Sequence, residues 1–253
     1  MDLAALLQNK ALIVGGIFLL VVVLERMFSA VPWRGGVQRV ARNLTLASLN
    51  FFASPLIVIP LTAMAAAHGL QWRPLWWAGW QGLALDILIL DVWIYGWHRL
   101  NHRLPVLWRF HEVHHLDEML DATSALRFHV GEVVLSALAR AAMIYVLAMP
   151  LLSVALFEML LLAATIFHHS NLRLPPILER GLSLIIVTPS IHWVHHHAEQ
   201  RDTDSNYATV FSIWDRLFVS RSRTLRHADM AIGVEGRREQ TLLGLIARPF
   251  SKT

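Results

Sequence analysis

The chain of 253 residues contains no cysteine. That absence excludes disulfides, thiolate-bound zinc, iron–sulfur clusters and a thiol nucleophile, so any metal must be held by nitrogen and oxygen. Charge is scarce too: 16% of residues are Asp, Glu, Lys or Arg, against 55% that are hydrophobic. Such a balance takes the chain out of the soluble class and into the membrane class. The formal net charge of +4 is too small and too dispersed to form a nucleic-acid surface, so no nucleic-acid partner is expected. No low-complexity tract or long linker divides the sequence, which reads as one domain over residues 1–253. The stretch Met1–Lys10 lacks the basic n-region of a cleaved signal, so the first apolar run is expected to remain as a span.

Against these absences stands an excess of histidine: twelve of the fourteen fall between positions 98 and 197. Read as helix, His98 and His102 leave one face, and His111, His114 and His115, at i, i+3 and i+4, leave another together. His192, His195 and His196 repeat that spacing. Imidazole is the commonest protein ligand for transition metals, and helical spacing aims several rings at one point. His129, His168 and His169 are further candidates. One ion takes about four to six ligands, so eight or more rings point to two ions sharing a site at the ends of several helices. His68, His197 and His227 have no ligand spacing and are expected at the surface.

The apolar runs supply the frame. Residues 11–24, 44–67 and 83–97 read as spans, the second kinked by Pro55 and Pro60. Between His129 and His168 lie 38 mostly apolar residues broken at Met149 and Pro150, which predicts a hairpin with legs 130–148 and 151–167. A hairpin returns the chain to the side it left, so His168 and His169 meet the earlier histidines. The fold class is therefore all-α, a multi-pass transmembrane bundle of four to five spans with a histidine-rich metal-binding cap. Arg26, Arg34, Arg39 and Arg42 mark the cap side as cytoplasmic, and Trp72, Trp76, Trp77 and Trp80 suit the opposite interface.

Several charges fall inside these spans, where an unpaired one is costly. Arg140 and Glu158 stand at matching distances from Pro150 and are predicted to pair. Asp86 and Asp91 are functional candidates, and Asp91, Tyr95, His98 and His102 form one stripe. Asp91 and Tyr95 are thus expected to orient ligand imidazoles from behind. The tail 241–250 is patterned to lie on a membrane surface or to pack on the cap. Residues His111 to His115 also satisfy H-E-x-x-H, which in zinc peptidases pairs two ligands with a glutamate base, here Glu112. That alternative leaves the other histidine rows unexplained. A non-catalytic metal- or lipid-binding membrane protein is the other alternative.

The ordered stretches HRLNH, WRFHEVHH, RFHVGE, FHHSNLRLP, TPSIHWVHHH and NYATVFSIWDRLF, over about residues 91–218, resemble the fatty acid hydroxylase and sterol desaturase superfamily of membrane di-iron enzymes. The resemblance implies membrane helices under a cytoplasmic cap, two iron ions, and dioxygen as co-substrate in hydroxylating or desaturating a membrane lipid. It also implies electrons from a separate donor, a reductase with a ferredoxin or cytochrome b5-like carrier, docking near Arg99, Arg103 and Arg109. In a bacterium the chain would sit in the inner membrane. The superfamily's ligands map onto His98, His102, His111, His114, His115, His192, His195 and His196, onto His169 before Ser170 and Asn171, and onto His129 of the RFH stretch. Val130, Ala208, Val219 and Ser220 depart from the superfamily pattern, which has glycine where Val219 stands.

Overall fold

In a medium without water the backbone must satisfy its own hydrogen bonds. The computed structural model, which describes residues 3–251, does so as helix, with only isolated bridges and no β-strand among the described residues. Helix α1 (Leu3–Met27) is followed by α2 (Gly36–Ala53), which runs through a π-turn at Ser54–Val58 into α3 (Ile59–Ala67). The π-turn is how the chain takes up Pro55 and Pro60: its wider spacing accommodates the missing N–H and the ring without ending the helix. Helix α4 (Gly79–Arg103) stops at Leu104, which precedes Pro105 and is extended at ψ 115°, and Pro105 then opens α5 (Pro105–His115) at a position that needs no N–H.

The predicted hairpin is present as α6 (Val130–Val146) and α7 (Leu151–His169). Its charges pair as expected, with Arg140 Nη2 3.3 Å from Glu158 Oε1, and α1 adds Lys10 Nζ at 2.9 Å from Glu158 Oε2. Beyond α7 the cap is built from short helices, α8 (Pro176–Leu182), α9 (Pro189–His195), α10 (Gln200–Thr203), α11 (Ile213–Leu217) and α12 (Leu242–Ala247). Among the described residues, the continuous helix Gly36–Ala67 and α7 are long and apolar enough to cross a membrane. Helices α1 and α4, of 25 residues each, pack against α7.

The bundle core joins Ala65 of α3, Leu90 of α4, Ala141 and Ile144 of α6, and Val154 and Phe157 of α7. At one end Asp86 accepts from Arg73 at 2.5 Å, Trp77 at 3.0 Å and Ser153 at 2.7 Å, so this carboxylate ties the α3–α4 loop to the bundle. It stands twelve residues from His98, ~18 Å along the helix axis, and serves no histidine. At the other end Arg39 is buried between Asp117 and Asp121 and clamps α2 to the loop after α5. The tail packs on α2 and α5, because Leu245 of α12 is buried with Leu46, Val113 and Leu116.

Candidate metal centre

Four helices end at one place. The last turns of α4 carry His98 and His102, α5 carries His111, His114 and His115, α7 ends in His169, and α9 carries His192 and His195 with His196 at its cap. The rings divide into two nests. His98, His102, His111, His115 and His195 each bring a ring nitrogen within 4.8 Å of the others, and His114, His169, His192 and His196 do the same. Helices α5 and α9 each serve both nests, and the nests adjoin where His115 stacks on His196 with ring centroids 4.2 Å apart.

Four of the rings are aimed by a backbone carbonyl at their outer nitrogen. The Nδ1 atoms of His98, His114, His169 and His195 donate to the carbonyls of Tyr207 (2.8 Å), Arg127 (3.1 Å), Thr165 (2.8 Å) and Ser205 (2.6 Å). A carbonyl can only accept, so each Nδ1 carries the hydrogen and each neutral Nε2 is a bare lone pair. His114 Nε2 and His169 Nε2 stand 2.9 Å apart, two such lone pairs face to face. Protonation is a poor remedy, since burial first, and the neighbouring rings after it, hold His114, His115, His192, His195 and His196 well below the ordinary imidazole value. Nε2 of His111 and His195 and both nitrogens of His102 and His115 are also buried without a hydrogen-bond partner, His102 Nδ1 lying 3.8 Å from Asp204 Oδ1. Each such atom costs about 1–3 kcal/mol, and a cation would satisfy them together. The donor set, neutral and all nitrogen, fits divalent transition-metal ions.

The structure also moves several residues away from their expected roles. His129 belongs to neither nest: its Nδ1 accepts from Gly131 N at 2.9 Å, capping α6, and its Nε2 lies 3.1 Å from Ile246 O, so both nitrogens are committed. His168 packs its ring 4.0 Å from that of His192 but is outside both nests. Asp91 touches no histidine; it accepts from Val210 N, Phe211 N and Trp214 Nε1, anchoring the loop whose Tyr207 carbonyl holds His98. Tyr95 bonds Ser220 Oγ at 2.8 Å and stacks on Phe218, so it too acts on that segment rather than on a ring. Both corrections have one cause: the cap loop lies against this face of α4 and takes the carboxylate and the phenol itself, as its Tyr207 carbonyl takes His98 Nδ1. His197 is buried, its Nδ1 donating to Asp202 at 2.8 Å, whereas His68 and His227 are exposed as expected.

Glu112 is buried, and its oxygens take Arg248 at 2.7 and 3.2 Å and Arg237 at 3.0 Å. The carboxylate that does serve a ring is Glu132, whose Oε1 lies 2.7 Å from His111 Nδ1, with Asn101 Nδ2 at 3.3 Å from the same oxygen. Its only signal in the sequence was its place in the RFHVGE stretch.

The family model for fatty acid hydroxylase matches residues 83–220, a span that contains all nine clustered histidines. The chain belongs to the fatty acid hydroxylase family. It is 28% identical over 222 residues to ornithine lipid hydroxylase OlsE of Rhizobium tropici, covering 87% of this chain and 63% of that protein. It is 33% identical over 142 residues to alkylglycerol monooxygenase of Danio rerio, covering 56% and 30% of the two chains. A cholesterol 25-hydroxylase-like protein of Danio rerio is 29% identical over 160 residues, covering 63% and 60%. The chain therefore spans less than two thirds of the length of each of these relatives. No solved structure matches it.

Proposed function

We propose that this family member is an oxygen-dependent membrane-lipid hydroxylase that holds two iron ions, one in each histidine nest. The observation that carries the reading is the pair of adjoining nests of neutral imidazoles, four of them oriented by backbone carbonyls, at the mouth of an apolar bundle. His98, His102, His111, His115 and His195 would hold one ion, and His114, His169, His192 and His196 the other. When bound, the ions supply the reduction of dioxygen and the removal of hydrogen from an unactivated carbon. The protein's own part is positional: carbonyls and Glu132 fix the rings, burial excludes water, and the bundle aligns an apolar chain with the nests. The names of the relatives favour hydroxylation over desaturation and a lipid as substrate.

The arginines Arg26, Arg34 and Arg42 favour a cytoplasmic position for the nests. On that side Arg103 and Arg109 are exposed, and the Trp108 ring lies 5.1 Å from that of His102 and 5.4 Å from that of His115. We place the docking of a separate electron donor there. The peptidase alternative loses its base, because two guanidiniums occupy Glu112.

Protein purified without oxygen or chelator from iron-supplemented cells should carry about two irons per chain by elemental analysis. A single retained zinc, or lipid-dependent oxygen consumption that survives both His114→Ala and His195→Ala, would remove the proposal.

A further inference from the structure

Asp91 stands seven residues before His98 on α4, ~10 Å further along the helix axis and away from the nests. It is at that depth that cap backbone meets the bundle: Asp91 accepts from Val210 N at 3.3 Å, Phe211 N at 3.0 Å and Trp214 Nε1 at 2.6 Å. Val210 is part of the bundle core with Leu90, Ile144 and Phe157. A second carboxylate serves the same loop, as Asp215 accepts from Tyr207 N at 2.8 Å and Ala208 N at 3.0 Å. Val187 N donates to Val210 O at 2.9 Å and Ser212 N to Ile185 O at 3.1 Å, so the stretch 183–187 descends beside the loop 207–215.

Irregular backbone at membrane depth survives only where protein groups satisfy it, and two buried carboxylates doing so for four N–H groups is that condition met. The same segment is apolar on its outer side, with Leu184 60%, Ile185 63%, Ile213 48% and Leu217 62% exposed. The exposed charges in and beside it are the arginines Arg180, Arg216 and Arg221; Arg216 Nη2 donates to Leu184 O, and the long side chains of Arg180 and Arg221 can reach headgroups from below. Depth, satisfied backbone and an apolar outer face with a basic edge fit one occupant, a phospholipid bilayer with acidic headgroups.

We infer that the paired stretches 183–187 and 207–219 form a re-entrant wedge, with Leu184, Ile185, Ile213 and Leu217 in lipid hydrocarbon beside α4. The inference rests on the reading of α2, α3 and α4 as membrane-spanning. Its consequence is that the cap does not stand clear of the bilayer. Lipid is brought up to the segment whose Tyr207 carbonyl orients His98.

The natural absence of cysteine makes the test direct. Ile185→Cys and Leu217→Cys, each nitroxide-labelled in the full chain, are reconstituted in vesicles of phosphatidylcholine and phosphatidylglycerol. Collision rates are then read with oxygen, which favours lipid, and with a water-soluble nickel chelate. Phe52→Cys on α2 serves as the lipid reference and Arg201→Cys on the cap as the water reference, both at exposed positions. Both wedge labels should match Phe52→Cys, with an oxygen-to-nickel ratio several-fold above that of Arg201→Cys. A ratio like that of Arg201→Cys puts the wedge in water, and exclusion of both reagents means that protein, such as a second copy, covers it. Either result overturns the inference while a lipid signal at Phe52→Cys leaves the spanning reading intact. A water signal at Phe52→Cys removes both. Leu184→Cys substitutes if Ile185→Cys fails to fold, as judged by its iron content against the parent.

Discussion

The rings of the first nest are not held alike: His98 and His195 lean on carbonyls, and His111 leans on the carboxylate of Glu132. A carboxylate behind an imidazole both orients it and raises its basicity. Glu132→Gln keeps the shape and removes the charge, so its expected effect is roughly tenfold weaker metal retention against a competing chelator, with the fold unchanged. Retention equal to the parent would mean that Glu132 serves packing alone. Val219 is a second single-residue matter. It is a β-branched residue at φ 52°, in the left-handed region that favours glycine, and it is exposed, so its side chain gains little from packing. Val219→Gly should therefore raise stability by about 1 kcal/mol, read as a higher unfolding midpoint in detergent.

Between elements, the ion pairs show why two-body arguments from sequence come up short. Glu158 of α7 takes Arg140 of α6 and Lys10 of α1 at once. Exchanging the charges of Arg140 and Glu158 would set the new guanidinium against Lys10. Expression yield lost in Glu158→Ala should return only when Lys10→Glu accompanies that exchange; recovery by the exchange alone would show that Lys10 contributes nothing. Glu112 makes the comparable link from α5 to the tail through Arg248 and Arg237. In Glu112→Gln the tail beyond Gly236 should become open to limited proteolysis while lipid-dependent turnover persists. Loss of turnover with an intact tail would show that Glu112 acts in the lipid reaction rather than in holding the tail.

For the molecule as a whole, nine imidazoles packed at the junction of α4, α5, α7 and α9 are a liability without a cation, since bare lone pairs face each other and several buried ring nitrogens have no hydrogen-bond partner. Ions that bind only the folded chain stabilise it by mass action, about 2.7 kcal/mol at a hundredfold excess over Kd. Chelation should lower the unfolding midpoint, and ferrous ion should restore it. Stripping that leaves the midpoint unmoved would show that the nests are satisfied some other way.

How much of this was legible in the chain depends on the range of the contact. The histidine rows on α4, α5 and α9 follow from helical spacing, and the α6–α7 hairpin from Met149 and Pro150 between two apolar legs. The Arg140–Glu158 pair follows from equal distances to that turn. These are properties of one helix, or of two helices joined by a short turn, and the sequence by itself determined them. The division of α5 between nests, with His111 and His115 to one and His114 to the other, depends on how four helix ends cross. Asp91 looked like a partner of His98 because they share a stripe, yet its carboxylate is taken by backbone 119 and 120 residues away. Glu112 is met by an arginine 136 residues later, and His129 by a carbonyl 117 residues later. Spacing decides which face of a helix a side chain leaves, but what stands opposite that face is decided by segments remote in sequence, and only the tertiary structure brings them there.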